Sequence, residues 1–158
     1  MRLFFVVLAL AGLSACSGTE TETTAPELSR ANTAAYNCLK EAIYFEAGAV
    51  PNPGREAVAH VIMNRVKDSR FPGDVCGVIQ EGEDRRRCQF SYRCDLDPTV
   101  IRWPSQMEQA EETARKVLAG ASADPTKGAL FFHAKWMRPG WFATRKRVGQ
   151  FGGNIFYL

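Results

Sequence analysis

The run Glu41-Ala42-Ile43-Tyr44-Phe45-Glu46 puts one carboxylate where acid–base chemistry could occur. At about 100° per helical residue, Leu39, Ala42, Ile43 and Glu46 share a stripe, whereas Glu41 points about 140° away from Glu46. Desolvation on an apolar stripe disfavours the charged carboxylate. The helix also ends almost at once, at Gly48, where the negative end of the helix dipole adds to the effect. A glutamate so placed can hold its proton near neutral pH and act as a general acid. Taken alone, this helix also permits a Glu46 turned to solvent at a frayed end, and both readings stay open here.

The elements around Glu46 follow from pattern. A first helix is predicted from about Tyr36 to Ala47, then the breakers Gly48, Pro51 and Pro53, then a second helix through Lys67 with Asn52 as its cap. Val58, Val61 and Ile62 face the core, while His60 and Asn64 share another side. Phe71-Pro72-Gly73 reads as a turn and Cys88–Cys94 as a short hairpin. Ser105-Gln106-Met107-Glu108 fits a capping box opening a third helix, with Met107, Ala110, Ala114, Val117 and Leu118 in helical period up to Gly120. Ala129 to Ala134 and Ile155 to Leu158 read as strands. The predicted class is α+β, helices first and a small sheet late. Trp103, Trp136 and Trp141 are assigned to the core, as are His60 and His133 on their own.

The chain has 158 residues and a net charge of +3, enough for one compact domain once a targeting segment is set aside. Arg2 precedes an apolar run from Leu3 to Leu13, too short for a bilayer span and suited to a secretory signal. Leu13-Ser14-Ala15-Cys16 closes it and resembles the bacterial lipobox, so residues 1–15 are expected to leave and Cys16 to carry lipid. Residues 16–35, rich in Thr, Ser, Ala and Glu, read as a disordered tether, and residues 36–158 as the folded domain. Ser17 rather than Asp follows the cysteine, which by resemblance to Gram-negative lipoproteins implies the outer membrane.

Cys38, Cys76, Cys88 and Cys94 remain, an even number in an exported chain, so disulfides are expected. Three pairings are open. Cys88 and Cys94 bracket five residues and suit a local bridge, which leaves Cys38 with Cys76. No CxxC spacing and only two histidines argue against zinc, so no metal and no cofactor is expected. The basic runs Arg85-Arg86-Arg87 and Arg145-Lys146-Arg147, with Arg93, could face a polyanion. Export disfavours nucleic acid, the Arg85 run reads better as a solvated loop, and peptidoglycan with its carboxylate-bearing stem peptides is a compatible partner.

In order and spacing, several segments together resemble the spore cortex-lytic enzyme (SleB) family of cell-wall hydrolases. They are Glu41-Ala42-Ile43-Tyr44-Phe45-Glu46-Ala47, Ala57-Val58-Ala59, Asn64-Arg65-Val66, Phe71-Pro72 and Val75-Cys76-Gly77-Val78. They continue with Cys88-Gln89-Phe90-Ser91-Tyr92, Cys94-Asp95, His133-Ala134, Pro139, Trp141 and Phe156-Tyr157. The resemblance implies a lysozyme-like fold and cleavage between N-acetylmuramic acid and N-acetylglucosamine, with Glu46 as the single catalytic acid. Glu46 would protonate the glycosidic oxygen and then accept a proton from the sugar's own 6-hydroxyl, giving the 1,6-anhydro product of a lytic transglycosylase. Gln89, Ser91, Tyr92, His133 and Asn64 are then the expected substrate-binding residues.

The chain departs from that family in two places. Ala47-Gly48-Ala49-Val50 stands where Ala-Arg-Gly-Glu usually follows the glutamate, and Asn154 where a histidine is expected. These departures keep two alternatives in view: a non-catalytic peptidoglycan-binding outer-membrane lipoprotein, and an N-acetylmuramoyl-L-alanine amidase. The expected setting is periplasmic, the anchor a lipid in the membrane, and a regulatory protein is an open candidate partner.

Overall fold

A computed structural model describes residues 25–158, with side chains from Asn32 onward. The signal segment, Cys16 and the first part of the tether lie outside the described residues. Among those described, no helix is long and apolar enough to cross a membrane.

Among the described residues, five helices precede three strands. The helices are α1 (Ala25–Ala47), α2 (Asn52–Lys67), α3 (Val75–Gln80), α4 (Tyr92–Asp95) and α5 (Pro104–Leu118); the strands are β1 (Phe131–Ala134), β2 (Arg147–Phe151) and β3 (Asn154–Tyr157). α2 is the central helix. Ala57, Val58, Ala59, Val61 and Ile62 are all fully buried on it, and the apolar stripes of α1 (Leu39, Ala42, Ile43) and α5 (Ala110, Ala114, Val117) close around it. The 3.6-residue period read from the sequence therefore marks the true inner faces. Phe90 and Phe156 fill the remaining space.

The sheet has the order β1-β3-β2, antiparallel throughout, with Phe131 opposite Tyr157 and Phe151 opposite Asn154. An irregularity between Arg147 and Gly149 leaves Val148 as an extra residue in β2. The β2–β3 turn reaches the start of α2 through two glycines. Gly152 adopts φ +59, and a Cβ on Gly54 would lie 3.1 Å from its Cα and 2.8 Å from Val50 Cγ2. Only residues without a side chain allow sheet and helix this close.

Several local expectations change. α1 begins at Ala25 rather than near Tyr36, so the backbone of residues 25–35 is helical instead of tether. Pro51 rather than Asn52 is the N-cap of α2, and the Asn52 amide donates to Glu56 instead. α5 starts at Pro104 with Trp103 before it, so Ser105 lies inside the first turn and forms no capping box. The Cys88–Cys94 segment is a turn of helix, not a hairpin, with Leu96 N–H returning to the Tyr92 carbonyl. α3 and β2 had no expected counterpart. α3 is six residues long and is held by Asp74, whose side chain accepts from Gly77 N–H at 2.9 Å.

The disulfides are Cys38–Cys76, tying α1 to α3 across 38 residues, and Cys88–Cys94 across six. By loop-closure entropy the first constrains the unfolded chain by about 4 kcal/mol and the second by about 2. Urea denaturation of Cys38→Ala/Cys76→Ala should therefore show the larger loss; equal losses from the two bridges would contradict this.

Candidate active site

Glu46 sits one residue before the end of α1, half-buried on the wall of a cavity of about 440 Å³. Burial pushes its carboxyl from 4.5 up to about 7, and the Arg65 guanidinium pulls in the opposite direction. Arg65 is itself buried. Its Nε donates to the Leu130 carbonyl at 2.8 Å and its plane lies over Phe71, Phe90 and Phe131. Desolvation lowers its pKa to about 10, opposed by the fields of Glu81 and Glu46, so it stays cationic at neutral pH. The acid therefore has a fixed positive charge nearby but no direct ion-pair partner among the described residues.

The opposite wall comes from the segment before α5. Leu96, Asp97, Val100, Arg102 and Trp103 line it, with Gln106 from the first turn of α5. Tyr44 fixes that wall to α1, because its buried hydroxyl accepts from the backbone N–H of Arg102 at 2.9 Å and of Trp103 at 3.2 Å. Trp103 is thereby held 55% exposed, an aromatic face open to a ligand. Gly48 permits the close approach of α5, since a Cβ there would lie 3.0 Å from Gln106 Oε1 and 2.5 Å from the Tyr44 carbonyl. Asp97 is the other carboxylate lining the cavity. Thr99 N–H and Oγ–H both donate to its Oδ1, holding the acid below its usual range, and Oδ2 has no hydrogen-bond partner among the described residues.

The other residues singled out by the sequence do not line this cavity. Tyr92 is buried, its ring stacked on Phe45 at 4.5 Å and its hydroxyl donating to Glu41 at 3.0 Å. Arg93 bridges Glu41 and Glu83, so Glu41 is committed to an ion cluster away from the cavity. Gln89 and Ser91 are exposed on the disulfide-pinned segment. The Asn64 amide donates to Asp124 at 2.9 Å and to the Ala129 carbonyl at 3.2 Å, which fastens the loop entering β1. Buried His60 shares a hydrogen bond with Ser122. His133 is buried with both ring nitrogens engaged: Nδ1 donates to the Ala134 carbonyl at 2.9 Å and Nε2 meets the Tyr157 hydroxyl at 3.0 Å. It borders a second, larger cavity of about 750 Å³ on the sheet. Asn154 is buried in β3.

Two tryptophans correct the core assignment, since Trp103 is 55% and Trp136 78% exposed. Sequence reasoning missed the 96–106 wall because its residues follow no helical or strand period. The one available signal was a tryptophan placed directly before a helix-opening proline.

A helical half built on α2, a small late sheet and a protonatable glutamate at the end of the first helix together define a lysozyme-like α+β domain. Residues 49–157 match the Cell Wall Hydrolase family, and the chain belongs to that family, in its spore cortex-lytic enzyme (SleB) type. It is similar to the catalytic domain of the germination-specific lytic transglycosylase SleB from Bacillus anthracis, at 29% identity and a TM-score of 0.65, over 78% of this chain and 93% of that one. It is also similar to the catalytic domain of the Bacillus cereus SleB protein, at 26% identity and a TM-score of 0.62, over 80% and 91%. A spore cortex-lytic enzyme from Halalkalibacterium halodurans is 31% identical over 121 residues, 75% of this chain. That span is only 33% of the relative's own length, and 42% for the Bacillus cereus enzyme, so the chain matches well under half of these proteins.

Proposed function

We propose that this chain cleaves the glycan strands of peptidoglycan as a lytic transglycosylase, with Glu46 as the catalytic acid and base. The observation that carries the reading is a glutamate raised to about 7 on the wall of an open cavity, in a domain similar to one described as a lytic transglycosylase. A group titrating near working pH can give a proton to the glycosidic oxygen and take one back within a turnover. The muramic acid 6-hydroxyl supplies the nucleophile intramolecularly, so the second step needs no water and no second protein carboxylate. Trp103 offers a sugar ring an apolar face on the far wall. Lipidation at Cys16, ahead of α1, would hold the domain in the periplasm at the outer membrane. Of the residues expected to bind substrate, Gln89 and Ser91 are exposed and free to meet a glycan, whereas Asn64, Tyr92 and His133 hold the surrounding structure.

One observation favours a hydrolytic second reading. Asp97, ionised and lining the same cavity, offers a base to water. Product analysis separates the two. Incubating the protein with purified sacculi should release muropeptides lighter by one water than hydrolytic products, with no new reducing ends. Reducing-end products assign the second step to water, and their loss in Asp97→Asn assigns the base to Asp97; binding without any release leaves only the glycan-binding lipoprotein.

A further inference from the structure

The second cavity carries a charge pattern that glycan cleavage does not use. Lys135, Arg138, Arg145 and Arg147 line it together with Trp136 and Phe142, and no acidic residue does. None of the four cations has an ion-pair partner among the described residues. Among the described residues Arg138 donates only to the carbonyls of Lys135 and Met137, and buried Arg145 Nε has no hydrogen-bond partner. Four like charges gathered around one concavity repel one another, an arrangement that favours an anionic occupant. Guanidinium groups pair with carboxylates two bonds at a time, and the exposed Trp136 ring adds an apolar surface for alkyl side chains. At about 750 Å³ the space suits several peptide residues rather than a single small ion.

The cavity also packs toward Arg65. The Arg65 guanidinium, whose field acts on Glu46, lies 5.8 Å from the Phe131 ring, and the Arg145 guanidinium lies 3.4 Å from that same ring. Phe131 thus joins the Glu46 neighbourhood to the basic cavity through packed side chains.

We propose that this basic sheet cavity binds the carboxylates of the stem peptide borne by the glycan, making the protein selective for peptide-substituted strands. The proposal rests on the glycan-cleaving reading, so its test has an arm independent of cleavage. In the first arm, release from intact sacculi is compared with release from the same sacculi stripped of peptides. Wild type should favour the intact material, and Arg138→Gln/Arg147→Gln, both exposed positions, should reduce that preference at least tenfold at unchanged melting temperature. An unaltered preference overturns the proposal. In the second arm, a free stem tetrapeptide or inorganic phosphate is titrated while the Trp136 indole is followed by NMR. Peptide binding that phosphate does not match, and that the double variant loses, supports the site even if no glycan is cut, an outcome that would sink only the enzymatic reading. No peptide binding, or phosphate binding as tight as peptide, overturns the site itself.

Discussion

Glu46→Gln is expected to reduce glycan cleavage by about 10³-fold or more while making the protein more stable at alkaline pH. The amide keeps the side chain's shape and one acceptor but has no transferable proton, and general acid–base assistance alone is worth roughly 10²–10⁴. The stability gain follows from linkage. The folded carboxyl titrates at about 7, above its unfolded value of 4.5, so the folded state prefers the protonated form. That preference is fully present below about pH 4.5 and is lost as pH rises to about 7. Above that, holding the ionised group in place costs about 3 kcal/mol. The variant should therefore match wild type near pH 4 and exceed it by up to about that amount at pH 8, read from denaturation midpoints at the two values. By the same logic, wild-type kcat/KM on sacculi should fall as pH rises through about 7. A fall in kcat/KM centred near pH 4.5, with no pH-dependent stability gain in the variant, would show a solvated carboxylate and end the proposal for Glu46.

Arg65→Met carries the second large effect. The guanidinium is buried, donates to the Leu130 carbonyl, and lies between the fields of Glu46 and Glu81. Removing it leaves that carbonyl without the Arg65 bond and takes away the charge that opposes Glu46 desolvation. Two readouts should move together. Stability should drop by about 3 kcal/mol, as for other buried charges stripped of their setting. The alkaline limb of the cleavage profile should move to higher pH, because the positive charge that favours ionised Glu46 is gone. Arg65→Lys keeps the charge without the planar fork, so it should lose stability but keep more of the wild-type pH profile. A limb that stays in place or moves to lower pH in Arg65→Met would show that Arg65 supports the fold without acting on the acid.

The residues near Glu46 show why some of the site was legible before any coordinates. Leu39, Ala42 and Ile43 are buried as their spacing predicts, and a helix repeats every 3.6 residues, so the same stripe carries Glu46 inward. Val58, Val61 and Ile62 obey the same rule on α2. Where elements were short, local signals failed. α3 has six residues, the Cys88–Cys94 segment closes as a single helical turn, and β2 carries a bulge that breaks its alternation. Trp103 was read as core because tryptophan is usually buried, yet two hydrogen bonds from its backbone and that of Arg102 to Tyr44 hold it open at the cavity.

Periodicity, cysteine count and ordered motifs determined the class of fold and its family and put Glu46 forward as the acid, because each is written in neighbours along the chain. The proton affinity of Glu46, the 96–106 wall facing it and the unpaired cations on the sheet were decided only by folding. Desolvation and charge depend on which distant groups share a space, and Arg65, Asp97 and Arg145 come from segments whose local pattern does not encode that encounter.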